Sequence, residues 1–221
     1  MKYTLMNDLT LRITEIFYSL QGEARTVGCP TVFIRLTGCP LRCGYCDTAY
    51  AFTGGEIKSI AEVLDTVASY QPRFITVTGG EPLAQKNCLA LLTALCDKDY
   101  DVSLETSGAL DVSEVDARVS KVMDLKTPSS SEMHRNHYDN ISHLLPHDQV
   151  KFVIGDRTDY EWATQQIQKY DLVKKVSEIL FSPVYKQIEP QQLAQWILDD
   201  HLPVRLQMQM HKLIWGDSPG H

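Results

Sequence analysis

Residues 38–48 read GCPLRCGYCDT and set Cys39, Cys43 and Cys46 inside eight positions of a chain with only six cysteines. Three is an awkward number. Disulfide frameworks use cysteines in pairs, and a closed structural zinc site takes four ligands. An iron–sulfur cluster with four irons accounts for it: three thiolates from one tight loop hold three corners, and the fourth iron stays open for an exchangeable ligand. Gly38 and Gly44 keep such a loop free of side-chain bulk and permit backbone conformations closed to other residues. A zinc site would need a fourth ligand from elsewhere, with Asp47, Cys29 or a distant histidine as candidates. Cys88 and Cys96 lie in an apolar helical pattern and read as core residues, and Cys29 reads as a non-ligand.

On either side of this loop, strand-like and helix-like stretches alternate. TVFIRLTG (31–38) and FITVTGG (74–80) are strands rich in β-branched and aromatic residues, each running into glycine. Between them SIAEVLDTVASY (59–70) places Ile60, Val63, Leu64, Val67 and Ala68 on one helical face behind Ser59 as N-cap. The pattern continues with a helix at 88–97, strands at 101–108, 121–126 and 149–155, a helix at 160–170, a strand at 178–184, a proline-initiated helix at 190–200, and a closing strand, VRLQMQM (204–210). Alternation of this kind predicts an α/β fold with a mostly parallel sheet, open or curled into a full or partial barrel, over one domain spanning 1–221. Functional groups then belong at the carboxyl ends of the strands. GCPLRCGYCDT, TGGEP and ETSG stand at three such ends. The segment 127–147, with its serines and His134, His137, His143 and His147, reads as an exposed loop with at most one helix.

Composition narrows the classes. The 221 residues carry 21 basic against 28 acidic side chains, a net charge of −7, which disfavours direct binding to nucleic acid. No apolar run approaches the roughly 20 residues that span a bilayer. The first fifteen residues lack a secretory pattern. A cytoplasmic, reducing compartment is the expectation, and clustered cysteines there are metal ligands or catalytic groups.

The spacing C-x3-C-x2-C with Tyr45 before the last cysteine, followed by Gly79-Gly80-Glu81-Pro82 at the next strand end, resembles the signature of the radical S-adenosylmethionine superfamily. The flanking segments EIFYSLQGE (15–23), TVTGGEP, SLETSG and QMHK resemble the 7-carboxy-7-deazaguanine synthases of the queuosine pathway, from about residue 12 to 212. The resemblance implies a partial or modified (β/α) barrel of the radical S-adenosylmethionine type. It also implies a radical ring contraction of 6-carboxy-5,6,7,8-tetrahydropterin to 7-carboxy-7-deazaguanine with loss of ammonia, using a [4Fe-4S] cluster, S-adenosylmethionine and Mg²⁺.

Residue by residue, the resemblance gives Cys39, Cys43 and Cys46 to the cluster and Thr48 to Mg²⁺; alone, Thr48 would read as a turn or N-cap. Tyr45, Cys46, Asp47, Gly80, Glu81, Glu105, Ser107, Asp124, Leu125 and Lys126 fall to the cofactor. The substrate takes Leu20, Gln21, Gly22, Glu23, Arg35, Thr78 and His211. Arg35 interrupts an apolar strand, where a charge is costly unless paired, so it is either a structural ion pair or a fork for the substrate carboxylate. Ala24 stands where relatives mostly have glycine, and Asp124-Leu125-Lys126 where many read Ser-Pro-Lys. The family suggests a homodimer and a flavodoxin or ferredoxin-type electron donor, with no nucleic acid or membrane partner. Two other readings remain: a glycyl-radical-enzyme activase, which gives LQGE and Arg35 no role, and a zinc-binding structural module.

Overall fold

A computed structural model describes residues 7–216 and residue 220. Nine strands form one sheet in the order β3-β1-β2-β4-β5-β6-β7-β8-β9. They are β1 (Thr10–Leu20), β2 (Pro30–Leu36), β3 (Glu56–Ser59), β4 (Phe74–Gly79), β5 (Asp101–Thr106), β6 (Ser120–Asp124), β7 (Gln149–Ile154), β8 (Glu178–Pro183) and β9 (Arg205–Leu206). From β2 through β9 the pairing is parallel, while β1 runs antiparallel to both β2 and β3. The edges β3 and β9 do not pair with each other, so the sheet is a partial barrel.

Period-two alternation along the parallel strands separates core from cavity. Val32, Ile34 and Leu36 of β2, Ile75 and Val77 of β4, and Val102 and Leu104 of β5 enter the first apolar core. Met123 of β6, Val150, Phe152 and Ile154 of β7, and Ile179 and Phe181 of β8 enter the second. The intervening residues, among them Arg35, Thr78, Glu105, Asp124, Lys151 and Ser182, line a cavity on the opposite face.

All the helices but the last cover the apolar face. Helix α1 (Ile60–Ser69) starts at a capping box in which Ser59 and Glu62 satisfy each other's backbone N–H, worth about 1 kcal/mol. Its buried face is Ile60, Ala61, Val63, Leu64 and Val67, so Ala61 takes the place expected of Ala68, which is exposed. Next come α2 (Cys88–Cys96), α3 (Arg157–Tyr170), the short α4 (Leu172–Lys175), α5 (Pro190–Asp199) and α6 (Met210–Trp215). Cys88 and Cys96 are buried in the first core.

Strands β1 and β3 lie where none was expected, and two further segments depart from expectation. VRLQMQM is a strand for only two residues. Gln207 turns its side chain onto local groups, donating to Met208 O at 2.8 Å and accepting from Ala24 N at 3.0 Å, and α6 begins at Met210. The 127–147 segment is three short 3₁₀ turns, Pro128–Ser130, Met133–Arg135 and Tyr138–His143, with Thr127, Ser130, Asn136, Asn140 and Ile141 buried. Two asparagines substitute for a regular ladder. Asn136 accepts from Lys126 N and donates to Lys126 O, both at 2.9 Å, and Asn140 donates to Leu110 O at 2.7 Å. The four histidines of this segment are exposed.

Candidate active site

The cluster loop leaves the carboxyl end of β2 and is framed by backbone hydrogen bonds. Gly38 N donates to Ala51 O at 2.8 Å, Glu81 N to Gly38 O at 2.8 Å, and Gly44 N to Ser130 O at 3.2 Å. Gly38 has φ +99, open to glycine but strained for other residues. Gly44 has no such need, and a Cβ there would meet nothing nearer than Ser129 O at 3.9 Å. Arg42 caps the loop by donating to Cys39 O and Leu41 O at 2.8 and 2.6 Å, its guanidinium lying 4.3 Å from the Phe52 ring centre.

Cys39, Cys43 and Cys46 all line the cavity, a space of about 730 Å³. Burial pushes the Cys39 and Cys43 thiols up, so cluster assembly has to displace protons from them. Among the described residues, no three His, Cys, Asp or Glu side chains converge as a single metal ion would require. A four-iron cluster asks less convergence, because each thiolate binds its own iron. Cys29 sits beyond the amino end of β2, seven strand residues away from the loop, a span of roughly 25 Å at about 3.3 Å per residue.

The TGGEP end of β4 packs directly on this loop. A Cβ on Gly80 would stand 2.3 Å from Gly38 O and 2.8 Å from Cys39 Cβ. Glu81 is fully buried and does not line the cavity. Its carboxylate accepts from Leu83 N (3.1 Å), Thr106 Oγ1 (2.9 Å), Ser107 N (2.7 Å) and Ser107 Oγ (2.5 Å), joining the ends of β4 and β5. Leu125 likewise turns its side chain into the second core. The side chains of these two residues, expected at the cofactor, are instead held within the protein.

Beside the cysteine loop, Lys126 Nζ donates to Asp124 Oδ2 at 2.9 Å. Burial opposes the Lys126 charge, but the adjacent Asp124 holds its pKa above the usual lysine range. Asp124 Oδ1 and the Tyr45 hydroxyl are buried with no hydrogen-bond partner among the described residues. Orphaned polar atoms on a cavity wall call for a ligand, and an acceptor beside the cysteine loop suits one bearing ammonium and hydroxyl donors, as S-adenosylmethionine does.

Thr48 occupies the N-cap of a 3₁₀ turn, Ala49–Phe52, but makes no capping hydrogen bond. Its hydroxyl donates to Asp47 Oδ1 at 2.7 Å and lines the cavity, an oxygen donor of the kind a hard cation accepts together with waters and substrate oxygens. Burial raises and the Thr48 hydrogen bond lowers the Asp47 pKa, and the net direction is down.

The LQGE segment reaches the same cavity from the other end. Because β1 is antiparallel, Leu20 pairs with Pro30 at the amino end of β2. The chain then crosses beneath the sheet: Gln21 Nε2 donates to Thr76 Oγ1 at 2.9 Å, Arg25 N to Gln149 Oε1 at 3.0 Å, and Met210 N to Gly22 O at 3.0 Å. The carboxyl ends of the strands therefore supply only part of the site, and this segment floors it. Ala24 has φ +59, the left-handed region that glycine occupies more easily, at a cost of roughly 1–2 kcal/mol. Gly22 is required by space, since a Cβ would lie 2.2 Å from His211 Nδ1. His211 stands on α6, and burial pushes its imidazole pKa down.

Arg35 is a paired charge that also faces the cavity. Its Nε donates to Glu15 Oε1 at 2.7 Å, and the guanidinium also lines the cavity, with the Phe17 and Tyr50 ring centres 5.9 and 5.8 Å away. Thr78, Glu105 and Ser107 complete the wall. Sequence reading missed Lys151, which pairs with Glu23, and Gln209, which donates to Glu23 Oε1 at 3.0 Å and to Asp47 Oδ2 at 3.3 Å. The signal for Lys151 was present: a lysine at a polar alternation position inside QVKFVIG.

Comparison with known proteins agrees with this geometry. The radical SAM superfamily model matches residues 33–169. The chain is 44% identical over 215 residues to the 7-carboxy-7-deazaguanine synthase of Chlorobaculum tepidum, covering 96% of this chain and 97% of that one. It is 34% identical over 210 residues to the protein of the same name from Thermoplasma acidophilum, covering 94% and 99%. Among solved structures, QueE from Escherichia coli matches in fold with a TM-score of 0.73 at 22% identity, covering 96% and 99%. Streptococcus suis SuiB bound to S-adenosylmethionine matches with 0.57 at 14%, covering 78% and 44%. With an open parallel barrel, a three-cysteine loop packed on a glycine strand end, and these relatives along nearly its whole length, the chain belongs to the radical SAM superfamily and, within it, to the 7-carboxy-7-deazaguanine synthases.

Proposed function

We propose that the protein converts 6-carboxy-5,6,7,8-tetrahydropterin to 7-carboxy-7-deazaguanine with release of ammonia. The observation that carries this reading is the meeting, in one cavity, of the cysteine loop from above and the LQGE segment from below. A cavity of about 730 Å³ has room for a cofactor and a bicyclic substrate together. When bound, the cluster and S-adenosylmethionine supply the electron and the carbon radical that removes a substrate hydrogen. Cys39, Cys43 and Cys46 hold the cluster, and Tyr45, Gly80, Ser107, Asp124 and Lys126 shape the cofactor wall.

The remaining residues orient the substrate. Gln21 and Glu23 present an amide and a carboxylate to the donor–acceptor edge of the pterin ring. Arg35 offers a cation to the substrate carboxylate, and Thr48 offers Mg²⁺ one protein oxygen. Thr78 and His211 close the sides. Fixing the reacting carbon against the cofactor is the protein's main contribution, since the cofactor carries the difficult chemistry.

In this reading the chain acts as a single domain and a homodimer, reduced by a flavodoxin or ferredoxin-type donor. Among the described residues no helix is long and apolar enough to cross a membrane. The test is an anaerobic incubation with reductant, S-adenosylmethionine, Mg²⁺ and the pterin, scored for the deazaguanine. Absence of product from brown, cluster-loaded protein would refute the proposal, and turnover of the free pterin excludes an activase that acts on a protein backbone.

A further inference from the structure

Lys151 lines the cavity among carboxylates from three other parts of the fold. Its ammonium pairs with Glu23 in the LQGE segment, and Glu105 of β5 and Asp124 of β6 add negative charge to the same space. The pair is nearly enclosed, with side chains 12% and 10% exposed. Lys151 takes Glu23 Oε2 and Gln209 takes Oε1, so both carboxylate oxygens are held. From the backbone side, Glu23 N donates to Gln21 Oε1 at 3.2 Å, tying the main chain of Glu23 to the amide beside it.

We infer that Lys151 is a positioning residue for substrate recognition, keeping the Glu23 carboxylate ionised and in one orientation toward the nitrogen-bearing edge of the substrate ring. The inference rests on the proposed function and extends it to a residue outside the LQGE segment. Two carboxylates in one enclosed space cannot both stay charged without a cation. Burial raises the Glu23 pKa, while Lys151, joined by Gln209 and His211, brings the net direction down. Glu105 is pushed up to about 7 by burial and by the charge on Glu23. The other charged or titratable groups around the pair are Arg35 on β2, Asp47 in the cluster loop, Asp124 on β6, and His211 and Lys212 on α6; all stay in place when Lys151 is replaced.

The experiment compares Lys151→Met and Lys151→Arg with wild type as cluster-loaded enzyme. It measures product formation from about pH 6 to about pH 9, together with 5′-deoxyadenosine release without pterin. Without the cation Glu23 binds a proton near neutrality, so the acid limb of kcat/KM moves to higher pH. KM rises about tenfold or more near pH 7, more than kcat falls, and alkaline pH restores part of the loss. Lys151→Arg keeps the limb near its wild-type place, and in Lys151→Met product formation falls more than substrate-free 5′-deoxyadenosine release does. An equal fall at every pH, an unchanged KM in Lys151→Met, or an Arg variant no better than Met overturns the inference. If Lys151→Met does not load its cluster, the Arg variant decides alone: a wild-type limb supports the inference and a displaced one overturns it. A wild-type chain that fails to convert the pterin overturns the functional reading and this inference together, whereas a converting wild type with an indifferent Lys151 overturns only the inference.

Discussion

Replacing Gly80 with alanine tests whether the glycine strand end sets the position of the cluster loop. The added Cβ would stand 2.3 Å from Gly38 O and 2.7 Å from Gly38 C, against an ordinary contact of 3.4 Å. The obstacle is backbone, fixed by the Gly38 N bond to Ala51 O and the Glu81 N bond to Gly38 O, so no side-chain rotation relieves it. Relief therefore needs a retreat of about 1.1 Å by the segment that carries Cys39. Overpacking of this kind costs about 1–3 kcal/mol of stability. A displacement of about 1 Å in a catalytic arrangement costs about 100-fold in rate. Anaerobic assays of product and 5′-deoxyadenosine, with iron content and thermal unfolding in parallel, should show a folded protein with a lowered midpoint and both rates reduced about 100-fold. Gly44→Ala, whose Cβ meets nothing nearer than 3.9 Å, should lose far less. Wild-type rates in Gly80→Ala would refute the reasoning.

Other perturbations separate the remaining roles. Cys43→Ala should abolish 5′-deoxyadenosine formation yet keep the thermal midpoint of the apo protein, because the loop's frame does not use that thiol; substantial residual cleavage would sink the cluster assignment. Thr48→Ala should weaken the dependence of rate on Mg²⁺ while iron content stays full, and loss of the cluster would count against its assignment to the cation. Asp148 is fully buried and accepts from Lys121 Nζ at 2.9 Å, Lys121 N at 2.8 Å and Leu145 N at 2.7 Å. Asp148→Ala leaves the Lys121 charge buried and unpaired, so urea unfolding should report a loss of about 3–5 kcal/mol; a change under about 1 kcal/mol would contradict the pairing.

The parallel strands β2, β4 and β7 were legible because each is a run rich in β-branched and aromatic residues that leads into glycine, a local property. The same was true of α1, whose capping box is written in Ser59 and Glu62. What escaped was non-local. Nothing within LRITEIFYSLQGE says that it will run antiparallel, and that direction alone carries Glu23 to the floor of the cavity instead of its rim. The 127–147 segment looked exposed because its polar residues are ordinarily solvated, whereas Asn136 and Asn140 are buried on backbone partners supplied by other loops. Within the site, the cysteines came from motif spacing, and Gly80 and Thr48 only from the family resemblance that those motifs carry. Gln209 lay inside QMHK with no role assigned to it, and Lys151 showed only as a polar interruption in an apolar strand.

The frame around the cysteine loop has one further consequence. Gly38, Gly44 and Glu81 hold that loop through main-chain atoms alone, and Glu81 binds the two adjoining strand ends to each other. None of these bonds passes through sulfur. Loss of the cluster to oxygen therefore leaves these bonds in place, and the frame that receives iron and sulfide does not have to be folded anew.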